Sequence, residues 1–185
     1  MACTTFGTVE VWALIISFVA LIAALLKDFI LPYIFKPKLE FNHSSREKPF
    51  YREWNGQRFY RFSIKNIGKR PALNCRCQIE SIIGSDNDND LCGFPLKWAT
   101  RNNEDNNPFA TERLSIALDE TEFVDLIVSK NGKSCFVPSR GDLGVEKSIE
   151  TGKYEVTVLV SGDNFRARKL HFHITCDENN DIQIE

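Results

Sequence analysis

The sequence predicts a mainly β protein: one transmembrane α-helix followed by an antiparallel β-sandwich of about seven to nine strands. Two observations lead to this prediction. Residues 11–26 read VWALIISFVALIAALL without a charge, and beyond Pro37 short segments alternate apolar and polar residues between Gly, Asn, Asp and Pro. That alternation has the period of two of a half-buried strand, whereas helical periodicity there never lasts beyond about two turns.

The chain of 185 residues divides accordingly into three segments. Residues 1–10 are a short N-terminal tail, residues 11–35 a transmembrane helix with a juxtamembrane extension, and residues 36–185 the β domain. The 23 basic and 25 acidic residues are interspersed, and their charges nearly cancel. A nucleic-acid partner is therefore not expected, because it would require a basic face.

The apolar run is interpreted as a retained membrane span whose partner is the lipid bilayer. A span needs about 20 residues, and Phe6–Val9 or Phe29–Phe35 extends the run to that length. A signal peptide would carry Lys or Arg ahead of its apolar region, and none is present. A buried core helix would have an apolar stripe, whereas this segment is apolar all the way round.

Basic residues follow the span and none precedes it. They are Lys27, Lys36, Lys38, Arg46 and Lys48. The positive-inside rule therefore predicts a single-pass protein of the cell membrane with its C-terminal domain in the cytoplasm. Cysteines there would stay reduced, whereas an exported domain could pair some of them, for example Cys92 with Cys135.

Small residues at spacings of three or four form a candidate packing face on the span. These are Ala13, Ser17, Ala20 and Ala24. Small side chains let two helices approach closely, so a homo-oligomer formed through this helix is a further expectation.

Four alternating runs predict the long strands of the β domain. They are Tyr60–Ile64, Leu73–Ile79, Tyr154–Val160 and Leu170–Ile174, with Leu73, Cys75, Cys77 and Ile79 sharing one face. Shorter candidates are Lys38–Phe41, Leu114–Leu118, Phe123–Val128 and Cys135–Val137.

The segment Asn66–Pro71 connects the first two runs. Its Gly and basic residues could suggest an anion cradle, but a cradle needs a following helix, and a strand is predicted instead. The segment is therefore interpreted as a turn in which Gly68 supplies a positive φ and Pro71 restarts an extended chain.

The segment Glu150-Thr-Gly-Lys-Tyr154 precedes a long strand. A Tyr at that place in immunoglobulin-like domains can donate a hydrogen bond back to the main chain. The sandwich is therefore predicted to be immunoglobulin-like in architecture. The Cys…Trp…Cys spacing of antibody domains is absent.

Three short motifs carry a resemblance that spans the chain from the helix to about Thr175. They are Asn66-x-Gly-Lys-x-Pro-Ala-x-Asn-Cys75, Leu96-Lys-Trp98, and Gly152-Lys-Tyr154 followed by Gly162-Asp-Asn-Phe165. The chain resembles uncharacterised prokaryotic single-pass membrane proteins with an N-terminal transmembrane helix and an immunoglobulin-like domain. The resemblance implies fold and topology but no activity.

Three patterns contain metal-binding residue types, and each has a simpler interpretation. Asp86–Asp90 alternates oxygens like a calcium loop, but Leu91 and Lys97 stand where an EF-hand needs Gly and Glu. Cys75 and Cys77 suit a strand's buried face better than zinc, and His171 with His173 has no evident third ligand. No hydrolase, metalloprotease or Walker motif occurs either, so neither an enzyme nor a cofactor is predicted.

Four aromatic residues are candidates for an interaction surface: Trp54, Phe59, Trp98 and Phe109. Aromatics near arginine are typical of recognition surfaces, although a sandwich also closes its ends with them.

The first functional hypothesis is a membrane-anchored module that binds a protein partner within a membrane-associated complex. The alternatives are a ligand-gated effector, whose β domain senses a small molecule and whose helix oligomerises, and a surface adhesion domain.

Overall fold

The computed structural model describes residues 7–44, 46–84, 92–100, 112–130, 132–137, 148–179 and 181–185. The chain forms two compact units, Met1–Lys36 and Pro37–Glu185. The calcium-like pattern at Asp86–Asp90 and the candidate Phe109 lie outside the described residues.

The first unit is helical. Its α-helix α1 covers Thr8–Leu25, a π-helical turn covers Leu26–Ile30, and the short helix α2 covers Leu31–Ile34. In the π turn the Leu31 N–H donates to the carbonyl of Leu26. The stretch Glu10–Ile30, 21 residues, is long and apolar enough to cross a membrane, since it would measure about 30 Å.

The second unit is built from β-strands. They are β1 Leu39–His43, β2 Tyr51–Trp54, β3 Gln57–Asn66, β4 Ala72–Ile83, β5 Lys97–Trp98, β6 Leu114–Ile116, β7 Thr121–Lys130, β8 Lys133–Phe136, β9 Ser148–Ile149, β10 Gly152–Ser161, β11 Arg168–Cys176 and β12 Ile182–Ile184. This confirms a mainly β fold with one N-terminal apolar helix. The short strands β2, β5, β9 and β12 were not among the predicted strands.

The strands pair into two curled antiparallel sheets. The seven-stranded sheet has the order β1-β3-β7-β8-β9, with β2 also on β3 and β5 also on β7. The five-stranded sheet has the order β12-β11-β10-β4-β6. The segment around Leu96 passes from one sheet to the other, because the Leu96 N–H donates to Cys77 of β4 at 2.8 Å before Trp98 pairs with Val124 of β7.

The core lies between the two sheets and follows the alternation of the long strands. In β3, Tyr60, Phe62 and Ile64 are at most 1% exposed, and in β10 the valines at 156, 158 and 160 are fully buried. Phe62 contacts Phe172 of β11 with ring centroids 5.2 Å apart. Apolar burial of this extent is the main favourable term in folding.

The start of β4 corrects one expectation. Ala72 is fully buried and Leu73 is 43% exposed, so Leu73 does not share the buried face of Cys75. The cause is Asn74, whose φ of 51° is accompanied by a register shift between Ala72 and Cys75. An irregularity of this kind moves the preceding residues to the opposite face.

The turn after β3 corrects a second expectation. Gly68 does not adopt a positive φ. Glycine is needed there for space, because a Cβ at Gly68 would lie 2.7 Å from the backbone of Pro37.

The segment before β10 forms the expected main-chain contact. The hydroxyl of Tyr154 donates to the carbonyl of Glu150 at 2.9 Å. A buried phenol thereby ties the start of this central strand to the turn that leads into it.

Candidate interaction surface

The outer face of the seven-stranded sheet carries one of the predicted surface residues on a central strand. Phe59 and Arg61 of β3 alternate with the buried Tyr60 and Phe62, so they belong to the face opposite the core. Phe59 is in register with Val128 of β7, which is in register with Cys135 of β8. These three side chains form a partly exposed apolar row.

A buried ion pair lies beside this row. Arg61 and Asp125 are in register across β3 and β7, and the Arg61 guanidinium donates to the Asp125 carboxylate. The two residues are only 9% and 3% exposed. The guanidinium carbon of Arg61 also lies 5.5 Å from the centre of the Phe59 ring, which fixes the ring beside a cation.

Burial dominates the electrostatics of Asp125. Removal from water raises the pKa of its carboxyl, and the attraction of Arg61, Lys97 and Arg52 offsets only part of that rise. Desolvation of a buried carboxylate commonly exceeds the gain from its partner.

Cations surround the apolar row. Lys97 is in register with Asp125, Arg52 with Phe59, and Lys130 with Lys133 across β7 and β8. These four side chains are exposed or partly exposed. We call the set the β3–β7 patch; it consists of Arg52, Phe59, Arg61, Lys97, Asp125, Val128, Lys130, Lys133 and Cys135.

Trp54 stands next to the patch at the tip of the β2–β3 hairpin. It is 57% exposed and is followed by Asn55 and Gly56 at φ of 49° and 71°, a type I′ turn. Glu53 accepts one hydrogen bond, from the Tyr51 hydroxyl, and forms an ion pair with Arg58 at 3.2 Å. Partial burial and that bond raise the pKa of Tyr51 to about 12.

An open depression of about 380 Å³ lies at this tip, lined by residues 53–58. All its lining comes from one hairpin, so polar groups from different strands do not converge on it. Small-molecule sites usually enclose most of their ligand between several elements.

Trp98 takes no part in the surface, which corrects its assignment as a candidate. Its side chain is fully buried, and its indole N–H donates to the carbonyl of Glu112 at 3.2 Å. Pairing of β5 with β7 places the ring in the core.

The small residues of the helix share one side of α1. Ala13, Ser17, Ala20 and Ala24 are exposed within this chain. The Ser17 hydroxyl donates to the Ala13 carbonyl at 2.8 Å and is thereby satisfied within the helix. Their role in helix packing stays a prediction.

Of the patterns with metal-binding residue types, the two cysteines lie in the core and the two histidines lie on the surface. Cys75 and Cys77 are fully buried, and burial raises the pKa of Cys75 to about 12. His171 and His173 are exposed on β11, and His171 Nδ1 lies 3.2 Å from the Thr157 hydroxyl. Across the described ranges, no three His, Cys, Asp or Glu side chains are grouped to hold a metal.

The motif Asn66–Cys75 contacts the motif Gly162–Phe165. Asn164 donates to the carbonyl of Pro71 at 2.8 Å and accepts from the Leu73 N–H at 2.9 Å. Asn74 also donates to the carboxylate of Asp163. Both motifs therefore hold together the β3–β4 and β10–β11 connections.

The cations and the acid of the β3–β7 patch were missed by sequence reasoning. Alternation alone places Arg61 on the outer face, but its pairing with Asp125 depends on register across strands that are distant in sequence.

Neither a family model, nor a curated protein, nor a solved structure matches the chain.

Proposed function

We propose that this chain is a single-pass membrane protein whose β domain binds a protein partner through the β3–β7 patch. The observation that carries the proposal is the in-register row Phe59, Val128 and Cys135, partly exposed on central strands and surrounded by cations. Central strands are rigid, so the patch presents a preorganised surface. Aromatic residues and arginine are the residue types that contribute most binding energy at interfaces.

The charge of the patch indicates the chemistry of its partner. Asp125 is buried against Arg61, which leaves Arg52, Lys97, Lys130 and Lys133 as an excess of positive charge. A complementary segment carries Asp or Glu around an aliphatic or aromatic side chain that packs on Phe59. Such complementarity favours encounter and excludes basic competitors.

The membrane anchor is supported by the helix. The described side chains from Glu10 to Leu31 are all exposed, including large apolar ones such as Trp12, Phe18 and Phe29. A helix that is apolar on every side is stable when lipid surrounds it. The basic residues after the span favour a cytoplasmic β domain.

An immunoglobulin-like fold is part of the proposal. Two features support it. The strand orders β1-β3-β7-β5 and β4-β10-β11 correspond to the orders A-B-E-D and C-F-G of that fold. The hydroxyl of Tyr154 donates to the carbonyl of Glu150 at the start of β10, which corresponds to strand F.

Site-specific photo-crosslinking of the full chain in its native membrane tests the binding function. A photoreactive phenylalanine analogue replaces Phe59, and the matched control replaces Leu159. Leu159 is also partly buried on a central strand but belongs to the outer face of the five-stranded sheet. We expect one discrete adduct at position 59 and none at 159.

Charge reversal tests whether the adduct reflects the proposed chemistry. Lys97→Glu should reduce the adduct at position 59 severalfold, while Lys153→Glu, on the other sheet, should leave it unchanged. Equal adducts at positions 59 and 159, or insensitivity to Lys97→Glu, would reject the patch as the binding surface.

A further inference from the structure

A second surface lies at the end of the β domain where the chain enters it. The turn after β3, the turn before β7 and the β10–β11 connection meet there. The Asp119 N–H donates to the Asn66 carbonyl at 2.9 Å, and the Asp163 N–H donates to the Leu73 carbonyl at 3.0 Å. We call this surface the entry end.

The entry end is rigid because its connections are linked to each other and to the first residues of the domain. The Ile67 N–H donates to the carbonyl of Lys38 at 2.8 Å, and Gly68 packs against Pro37 too closely to admit a Cβ. The amide of Asn66 bonds to Arg70 at 2.8 Å and to Ile116 at 3.1 Å.

Exposed aliphatic side chains are concentrated at this end. Ile67, Leu73 and Leu118 are 38%, 43% and 48% exposed. Among the described residues of the β domain, the other large exposed apolar side chains are Trp54 and Ile83. Those two lie at the opposite ends of β3 and β4, so the three aliphatics form a separate cluster, typical of an interaction site.

Basic side chains accompany the cluster. Lys38, Lys69, Arg70 and Arg166 are exposed there, together with the acids Asp119, Glu120 and Asp163. Two of the acids are engaged within the surface, Asp163 with Asn74 and Glu120 with the N–H of Ala117. These bonds to neutral groups leave the acids charged, but the four cations outnumber the three acids, so the entry end combines apolar side chains with a small positive excess.

We propose that the entry end docks on the headgroup region of the bilayer that the chain's own helix crosses, with a preference for anionic lipids. Only Phe35 and Lys36 separate the last helical residue, Ile34, from Pro37, and this connection spans at most about 10 Å. The entry end is thus tethered to the membrane surface, where even a weak contact is populated. Aliphatic side chains flanked by Lys and Arg are suited to an anionic interface.

This inference rests on the proposed membrane span, and its test separates the two. The full chain, with Cys3, Cys92 and Cys135 changed to Ser, is reconstituted into vesicles of phosphatidylcholine with or without phosphatidylglycerol. The thiols of Cys75, Cys77 and Cys176 remain but are buried. A polarity-sensitive fluorophore is attached at Leu118→Cys, and at Ile83→Cys as a control of comparable exposure at the far end.

We expect the probe at position 118 to shift to the blue and to be quenched by nitroxide lipids, more strongly with phosphatidylglycerol. The probe at position 83 should remain in water. Arg70→Gln and Arg166→Gln should each weaken docking about fivefold, whereas Lys153→Gln should not.

Every other outcome rejects either the membrane span or the docking of the entry end on lipid. Failure of the chain to float with the vesicles rejects the membrane span and docking with it. Flotation with a water-exposed probe at position 118, or with equal quenching at position 83, rejects docking alone. A probe shielded in native membranes but exposed in protein-free vesicles assigns the entry end to a protein and overturns the lipid proposal.

Discussion

The side chain of Asn66 links three parts of the β domain. Its Nδ2 donates to Arg70 and Ile116, and its Oδ1 accepts from the Gly68 N–H at 3.0 Å. The residue is fully buried, so water cannot replace these bonds after its removal. A buried amide with satisfied donors and acceptor specifies one arrangement of the neighbouring turns.

Asn66→Ala should lower the free energy of unfolding by about 2–3 kcal/mol, because buried main-chain groups lose their partners. Urea unfolding of the detergent-solubilised chain, followed by tryptophan fluorescence, measures the change. Asn42→Ala, at an exposed asparagine on β1, is the control and should change stability little. Equal effects for both variants would contradict this role of Asn66.

The thiols should differ sharply in reactivity. Burial holds the pKa of Cys75 at about 12 and that of Cys77 well above its usual value, whereas Cys92 is exposed. Because the thiolate is the reactive form, maleimide at neutral pH should modify Cys92 and spare Cys75 and Cys77 until the domain unfolds. Mass spectrometry of the labelled peptides measures this order; modification of Cys75 in the folded chain would contradict it.

The raised pKa of Cys75 also makes the stability of the β domain depend on pH. A raised folded-state pKa means that protonated Cys75 favours the folded state. Its contribution is complete below the ordinary thiol pKa of 9.0 and is lost as the pH rises through about 12.

At the scale of elements, strands β3 and β7 enclose a buried ion pair, Arg61 with Asp125. Removing one partner leaves the other charge buried, so Asp125→Ala should cost about 3–5 kcal/mol. Replacing both by apolar residues, as in R61M/D125L, should restore stability to near the original or above it. Urea unfolding of the two variants provides the comparison; a double variant as unstable as Asp125→Ala would contradict the argument.

Lowering the pH should change the difference in unfolding free energy between the original chain and R61M/D125L. The pKa of Asp125 is raised, so its contribution to stability is complete below the ordinary carboxyl value and declines as the pH rises through the folded-state value. The original chain should therefore gain stability relative to R61M/D125L on acidification.

The long strands could be predicted because apolar and polar residues alternate over their whole length. The exceptions have local physical causes. Asn74 interrupts the alternation of β4 and exposes Leu73, and the two-residue strand β5 is too short for any period to identify Trp98 as a core residue. Of the β3–β7 patch only Phe59 was predicted as a surface residue, because a sequence records alternation but not the register between strands.

At the scale of the whole molecule, topology can be tested with native cysteines. Cys3 precedes the apolar helix and Cys92 follows it. With a cytoplasmic β domain, a membrane-impermeant maleimide should label Cys3 in intact cells and Cys92 only after lysis. The reverse pattern would place the β domain outside and favour the adhesion hypothesis.

The order in which the strands pair has a consequence for biosynthesis. Strand β4 is covered by β10, which lies much later in the chain, so the core of the β domain cannot close until β10 has been made. At about 5–20 residues per second, translation from Ile34 to Gly152 takes on the order of 10 s. The apolar helix therefore leaves the ribosome while the rest of the domain is still unfolded. If the helix spans the membrane as proposed, insertion would begin before the β domain has a tertiary structure.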